Sequence, residues 1–315
     1  TDFHELPDRI EAVRIAGASS GDADMLRRTD RLLALHESLV HGPASPLWYR
    51  GNVGCGPLIE QARLESALAN FDAVRLVVGH TPTWRRRVWS RLGGRVVQID
   101  TGMLHSYYSG QGAALLIEGE NLSAIYRGDA QAVPVDAQPA RAGNLPADLG
   151  AQELEAALAE GDIAGEPGDG MLTLMWQGRE LQALFTPVRN GFAPDVAAYR
   201  LDRLLSLDMV PAAVLRNVNG KAGSLRHVPG ATFTETERVA GKAAVDAWCP
   251  LQDQFQAMYI FDALVYNPGR VADDILFASN DGTLILTGHA LAFGTRTGVP
   301  PYLKKANLTL SAMWR

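Results

Sequence analysis

Two enzyme-like signatures stand in series along this chain, and both are short of the acidic and imidazole groups that their chemistry would need. The first is V-V-G-H-T-P-T at 77–83, followed by V-V-Q-I-D-T-G-M-L at 96–104. The second is A-A-Y-R-L-D-R-L-L at 197–205, with Y-N-P-G-R at 266–270 and L-I-L-T-G-H at 284–289. Phosphate sites gather metal cations on carboxylates and imidazoles, and the cations clamp the phosphate and activate a water. Such groups are sparse in both stretches. Taken alone, His80 reads as a loop histidine, and His227 and His289 read as structural. Asp273 and Asp274 could bind one magnesium, although adjacent carboxylates on a loop are more often a solvated turn or helix cap.

The elements that would position these residues alternate along the chain. Residues 1–40 read as helix, with Leu26, Leu32, Leu33 and Leu35 recurring among charges. The Gly- and Pro-punctuated segment 42–56 reads as loop, and 57–70 as an amphipathic helix. Short apolar strands follow at 74–78, 95–99, 113–117 and 122–126. The composition turns to Ala, Pro, Gly and Gln over 129–150, the best linker, with a short helix at 152–160 and a flexible break at 161–170. A hairpin is expected around Gly178 (171–176 with 181–185). Helices are expected at 194–207 and 253–265, with strands at 212–217 and 283–286.

The chain has 315 residues, room for two ordinary domains. Its hydrophobic content of 47% with 20% charged residues excludes wholesale disorder. A net charge of -6 argues against a general nucleic-acid binder. The run Arg85, Arg86, Arg87 reads as a solvated turn or strand end. Cys55 and Cys249 form no Cys-x-x-Cys pair, so a zinc site of that type is not expected, and a disulfide between them is left open. No apolar run reaches the length of a membrane span, and residues 1–15 carry no signal-peptide pattern. Because the chain begins with Thr1, it is expected to be a processed product, a fragment or an engineered piece. Both a cytoplasmic location and a secreted or periplasmic one after leader cleavage stay open.

Residues 45–126 resemble the calcineurin-like metallophosphoesterases, in particular bacterial relatives of the phosphoprotein phosphatases. The resemblance rests on S-P-L-W-Y-R-G at 45–51, V-V-G-H-T-P-T at 77–83, R-V-V-Q-I-D-T-G-M-L at 95–104 and A-L-L-I-E-G-E-N-L-S-A-I-Y at 114–126. It implies a sandwich of two sheets flanked by helices, with two metal ions at the strand ends. His80 would be an imidazole ligand to one metal. Arg50 would grip phosphate in a bidentate fork. Asp100 would anchor the loop beside His80. The family's Asp-x-His, Gly-Asp-x-x-Asp-Arg and Gly-Asn-His-Glu motifs do not occur. Ala16 stands where a further family histidine would be, and His41 is a poorly placed substitute. One imidazole cannot hold a dinuclear site.

Residues 171–310 resemble the bacterial phosphatidylinositol 3- and 4-kinase-like proteins, distant relatives of protein kinases. The matching stretches are D-V-A-A-Y-R-L-D-R-L-L-S-L-D-M-V-P at 195–211, V-L-R-N-V-N-G-K-A-G-S-L at 214–225, F-D-A-L-V-Y-N at 261–267 and L-I-L-T-G-H-A-L-A-F at 284–293. Phosphoryl transfer in such a domain rests on positioned charges. The resemblance puts Thr186 at the position of the phosphate-gripping lysine and Asp195 at that of its acidic partner. Gly269 takes the place of the catalytic aspartate, Asp274 that of a metal-binding asparagine, and Gly288 that of the metal aspartate.

The expected fold is therefore α/β in the broad α+β sense. A partial metallophosphoesterase sandwich occupies 1–128, a linker with a short helix 129–170, and a degenerate kinase-like domain 171–315. The expected function is a non-catalytic pseudoenzyme that acts as a binding or structural subunit. The alternative is a metal-dependent phosphoprotein phosphatase whose metal-binding half is missing or supplied by another chain. No cofactor is expected for the chain alone. A dinuclear Mn, Fe or Zn centre belongs to the alternative. A protein partner or self-association is expected from the truncated sheet edge, with Trp84, Trp89 and Trp314 as contact candidates.

Overall fold

The computed structural model describes residues 6–36, 45, 47–138, 149–164, 170–188, 191–243, 245, 247–296 and 298–305. It falls into two compact units, Thr1–Arg50 and Gly51–Arg315. The architecture is α+β with several small sheets. No helix among the described residues is long and apolar enough to cross a membrane.

The first unit contains a helical hairpin, α1 (Leu6–Ser20) and α2 (Ala23–His36). Gly21 turns the chain at a φ of 69°. The Asp22 carboxylate then accepts the amides of Asp24 and Met25, satisfying two donors at the start of α2. Ile10 and Thr29 are buried, whereas Val13, Ile15, Leu32 and Leu35 are exposed.

The second unit opens with α3 (Gly51–Gly54), a short turn of helix where the sequence reads as loop. Next comes α4 (Pro57–Asn70), whose Pro57 suits the first turn because its missing N–H has no helical partner there. Strands β1 (Leu76–Val78), β2 (Trp89–Arg91) and β3 (Val96–Gln98) form a sheet in the order β1-β3-β2, with β1 parallel to β3. After the short α5 (His105–Tyr108), strands β4 (Ala113–Glu118), β5 (Asn121–Tyr126) and β6 (Val133–Pro134) form an antiparallel meander. Val88, Val97, Ala124 and Tyr126 make a shared core for the two sheets. The Val88 amide donates to the Tyr126 hydroxyl at 3.0 Å. Leu64 and Leu68 of α4 pack with Val96 in a second core, so the first sheet carries a helix as well. Trp89, a candidate for surface contacts, is buried; Trp84 is half-buried, and Trp314 lies outside the described residues.

The stretch that reads as linker contributes to the core. In α6 (Ala151–Glu160), Leu154, Ala157 and Leu158 are fully buried. Residues 162–164, expected as a flexible break, form β7 (Asp162–Ala164) and pair with β8 (Met171–Trp176). With β9 (Arg179–Pro187), β10 (Ala213–Val218) and β11 (Lys221–His227) they make an antiparallel sheet in the order β10-β11-β9-β8-β7. Helix α7 (Pro194–Leu205) lies between β9 and β10 in the chain. Two tight turns set the registers, Gln177–Gly178 at φ 48° and 78° and Asn219–Gly220 at 52° and 79°. Positive φ at both positions matches the strand twist that two-residue hairpins need.

The rest comprises β12 (Thr232–Thr234), α8 (Glu235–Val239), α9 (Leu251–Leu264), β13 (Ile275–Ala278) and β14 (Leu284–Leu286), the strands ordered β12-β13-β14. Leu154, Leu174, Leu225, Met258, Phe261, Phe277 and Leu284 belong to one core that joins α6, α9 and both sheets. A Cys55–Cys249 disulfide, with 4.8 Å between the Cα atoms, ties the α3–α4 corner to the residues before α9.

Candidate functional site

The first candidate cluster lies beyond β1. His80 has a φ of 59°, a left-handed conformation uncommon for a residue other than glycine, and it is exposed. The loop after it is tied down. The Thr83 amide donates to the Asp100 carbonyl at 2.8 Å, and the Thr83 hydroxyl donates to the Arg87 carbonyl at 2.7 Å. The Asp100 carboxylate accepts the Gly102 amide at 2.8 Å. Asp100 thus holds its own loop through its side chain and the His80 loop through its backbone. Arg50 belongs to the first unit, where its guanidinium donates to the Trp48 carbonyl and lies 5.5 Å from the Trp48 ring centre. Ala16 is exposed on α1, and His41 lies outside the described residues.

Among the described residues, no three His, Cys, Asp or Glu side chains converge on a point that could hold a metal ion. His80 and Asp100 do not fit a dinuclear centre, which needs several ligands for each ion.

The second cluster surrounds the start of α7. Thr186 is exposed on β9, opposite Ser224 of β11. Asp195 lies in the first turn of α7 and is half-buried. Burial raises its carboxyl above the ordinary range; Arg226 and a hydrogen bond from Ser224 oppose that, and Asp274 reinforces it. Burial likewise pulls the Arg226 guanidinium down, against the pull of Asp195 and Asp274. Asp274 ends a short 3-10 turn, and Gly288, at a φ of 71°, folds directly onto its carboxylate. A Cβ on Gly269 would meet Leu291 Cδ1 at 3.0 Å.

His289 is fully buried, and burial, then Arg270 and Arg226, hold its imidazole well below its usual range. Its Nδ1 has no hydrogen-bond partner among the described residues and stands 3.9 Å from Asp195. A neutral imidazole at that distance makes no ion pair. This backbone does not fit a magnesium–phosphate centre, because Gly288 has no side chain and closes on Asp274.

Sequence reasoning missed the strongest polar constellation. Asp262, on α9 beside Phe261, is fully buried and accepts Arg270 Nε at 2.8 Å and Nη2 at 2.7 Å. Tyr302 donates its hydroxyl to the same carboxylate, and burial with Asp262 raises its phenol well above the usual range. Asn267 Nδ2 reaches Asp262 at 3.4 Å and the Gly288 carbonyl at 3.3 Å. Arg270 also donates to the Thr287 carbonyl, and its Nη2 lies 3.2 Å from His289 Nε2. The network joins α9, the 267–270 loop and the residues after β14. One signal pointed to it: a carboxylate flanked by apolar helix residues must find a cation or donors.

No family pattern matches the chain, and no curated protein does. Among solved structures, it is similar to the Helicobacter pylori proinflammatory kinase CtkA at 13% identity and a TM-score of 0.27, over 42% of this chain and 58% of that one. A likeness of that size fixes neither fold nor activity.

Proposed function

We propose that this chain is a pseudoenzyme, a binding or structural subunit built on phosphatase-like and kinase-like architecture without their chemistry. The observation that carries the reading is Gly288 folded onto Asp274. Where the kinase resemblance calls for a second carboxylate, the backbone fills the space instead. Neighbouring acids are already engaged internally, Asp262 by Arg270 and Asp195 by a hydrogen bond from Ser224. Phosphoryl transfer needs such charges directed at nucleotide and metal, and losing several together removes orders of magnitude in rate. The Cys55–Cys249 disulfide favours an oxidising compartment, where such bonds persist.

The test is a pair of titrations on the intact chain, manganese alone and magnesium with ATP. The reading expects no stoichiometric uptake of two metal ions and no phosphoryl transfer. Two bound manganese ions per chain, or transfer from ATP, would end it.

One observation favours the alternative, a phosphatase completed by another chain. The strained, exposed backbone at His80 is of a kind that clusters at functional sites. Manganese-dependent phosphatase turnover by an assembly with a partner chain, lost in His80→Ala, would establish it.

A further inference from the structure

A cleft of about 630 Å³ lies between the 81–98 region and the segments around 203–209 and 278–283. Its volume is that of small-molecule sites. The Cys55–Cys249 disulfide lies in its lining and ties two of the lining segments together. Two close approaches reinforce the tie. A Cβ on Gly54 would stand 2.7 Å from Trp248 Cβ, and one on Gly56 would stand 2.7 Å from the Ser206 carbonyl. The cleft is therefore held open by covalent and packing constraints and does not depend on a ligand for its shape.

Its lining carries three arginines and two aspartates, one positive charge in excess. Arg203 pairs with Asp208. Arg86 makes no ion pair among the described residues. Its Nε donates to the Tyr108 carbonyl and its Nη1 to the Thr83 carbonyl, both at 2.7 Å. Carbonyls orient a guanidinium without cancelling its charge, so Arg86 is a fixed, half-buried cation. Trp84 and Trp248 add flat apolar surface. The Trp84 ring is held by the Arg85 guanidinium 4.5 Å from its centre and by the near-parallel Trp89 ring. The Gln138 amide oxygen, also in the lining, is buried and has no partner among the described residues. A buried acceptor of that kind calls for a donor.

We infer that this cleft binds a small aromatic anion, a flat ring carrying one carboxylate or phosphate group and a hydrogen-bond donor. The anion meets Arg86, the ring lies against the indoles, and the donor satisfies Gln138. The inference is independent of the pseudoenzyme reading, since catalytic turnover would remove that reading and leave the cleft as it is.

The experiment titrates the intact, oxidised chain with 4-hydroxybenzoate and with 4-hydroxyphenylphosphonate, a phosphate stand-in that no phosphatase hydrolyses, and follows tryptophan fluorescence and heat. Phenol and inorganic phosphate are the controls. Both aromatic anions, or one of them, bind saturably and at least about tenfold tighter than either control, because a charge-assisted contact is stronger than a neutral one; a preference between the two identifies the anionic group. Arg86→Met removes that advantage, and Arg86→Lys restores part of it. Gln138→Leu, which loses no protein hydrogen bond from its side chain, weakens 4-hydroxybenzoate and leaves benzoate unchanged. It keeps the test decisive if Arg86→Met does not fold. No saturable binding of either anion overturns the proposal, and so does phenol binding equally well. 4-Hydroxybenzoate affinity unchanged in the folded Arg86→Met variant, or in Gln138→Leu, does the same.

Discussion

Gly288 lies against the carboxylate of Asp274 so closely that a Cβ built on the glycine would overlap it. The φ of 71° at Gly288 adds a second barrier, because side chains other than glycine seldom adopt it. Both features keep a side chain out of this position.

Introducing an acid at Gly288 or at Gly269 should therefore give unequal results. Gly288→Asp meets both the overlap and the left-handed backbone, and should cost about 2–5 kcal/mol of stability without conferring magnesium binding. Gly269→Asp meets only the end of Leu291, which is exposed and can turn away. It should stay within about 1 kcal/mol of the parent. Urea unfolding of the two variants checks the contrast. Equal midpoints would mean that the Gly288 backbone is not fixed as described.

The Asp262–Arg270 pair is fully desolvated, which makes the effect of breaking it asymmetric. Arg270→Met leaves a carboxylate buried beside Phe261 with only Tyr302 and Asn267 as donors, and should cost about 3–5 kcal/mol. Arg270→Met combined with Asp262→Leu removes both charges and should recover a large part of that loss. A double-mutant cycle measures the coupling. If the double variant is no more stable than Arg270→Met alone, the two side chains are not coupled and the argument from burial fails.

Elements with strong local signals could be read from the sequence. Pro57 and the apolar spacing of 57–70 place α4, and Gly178 between two apolar runs places the β8–β9 hairpin. The β10–β11 hairpin was equally legible but overlooked: Asn219–Gly220 is the dipeptide that a two-residue turn favours. Thr234 and Glu237 likewise form a capping box that announces α8. What the sequence could not show depends on distant partners. Cys55 and Cys249 stand 194 residues apart, and nothing local pairs them. The burial of Trp89, and the meeting of Asp262 with Arg270 and Tyr302, follow from packing between elements that a linear pattern does not encode.

The disulfide closes a loop of that same length, and its main stabilising effect falls on the unfolded chain. Loop-closure entropy for a span of this size amounts to about 5 kcal/mol. Cys55→Ser with Cys249→Ser, or reduction of the parent, should lower the unfolding midpoint in guanidinium by a corresponding amount. The comparison is between oxidised and reduced parent at one protein concentration. Coincident transitions would show that the thiols are not bonded in solution.

Asp202 contributes a pH dependence to stability. It lies on α7 without solvent exposure; one carboxylate oxygen accepts the amides of Met209 at 2.9 Å and Val210 at 3.1 Å, and the other has no partner among the described residues. Burial, reinforced by Asp208, lifts the carboxyl to about 7 and outweighs the two amide bonds, which favour the ionised form. The folded chain therefore keeps its proton at a pH where the unfolded chain, with an ordinary aspartate near 3.9, has released it. Between about pH 4 and pH 7 the unfolded state binds fewer protons, so this group makes stability fall as pH rises, by roughly 4 kcal/mol over the whole window. Asp202→Asn keeps the amide-accepting oxygen and removes the titration. Its stability should gain on the parent steadily from pH 4 to pH 7 and run parallel above that. Parallel curves across the whole range would mean that Asp202 ionises in the folded chain as easily as in the unfolded one.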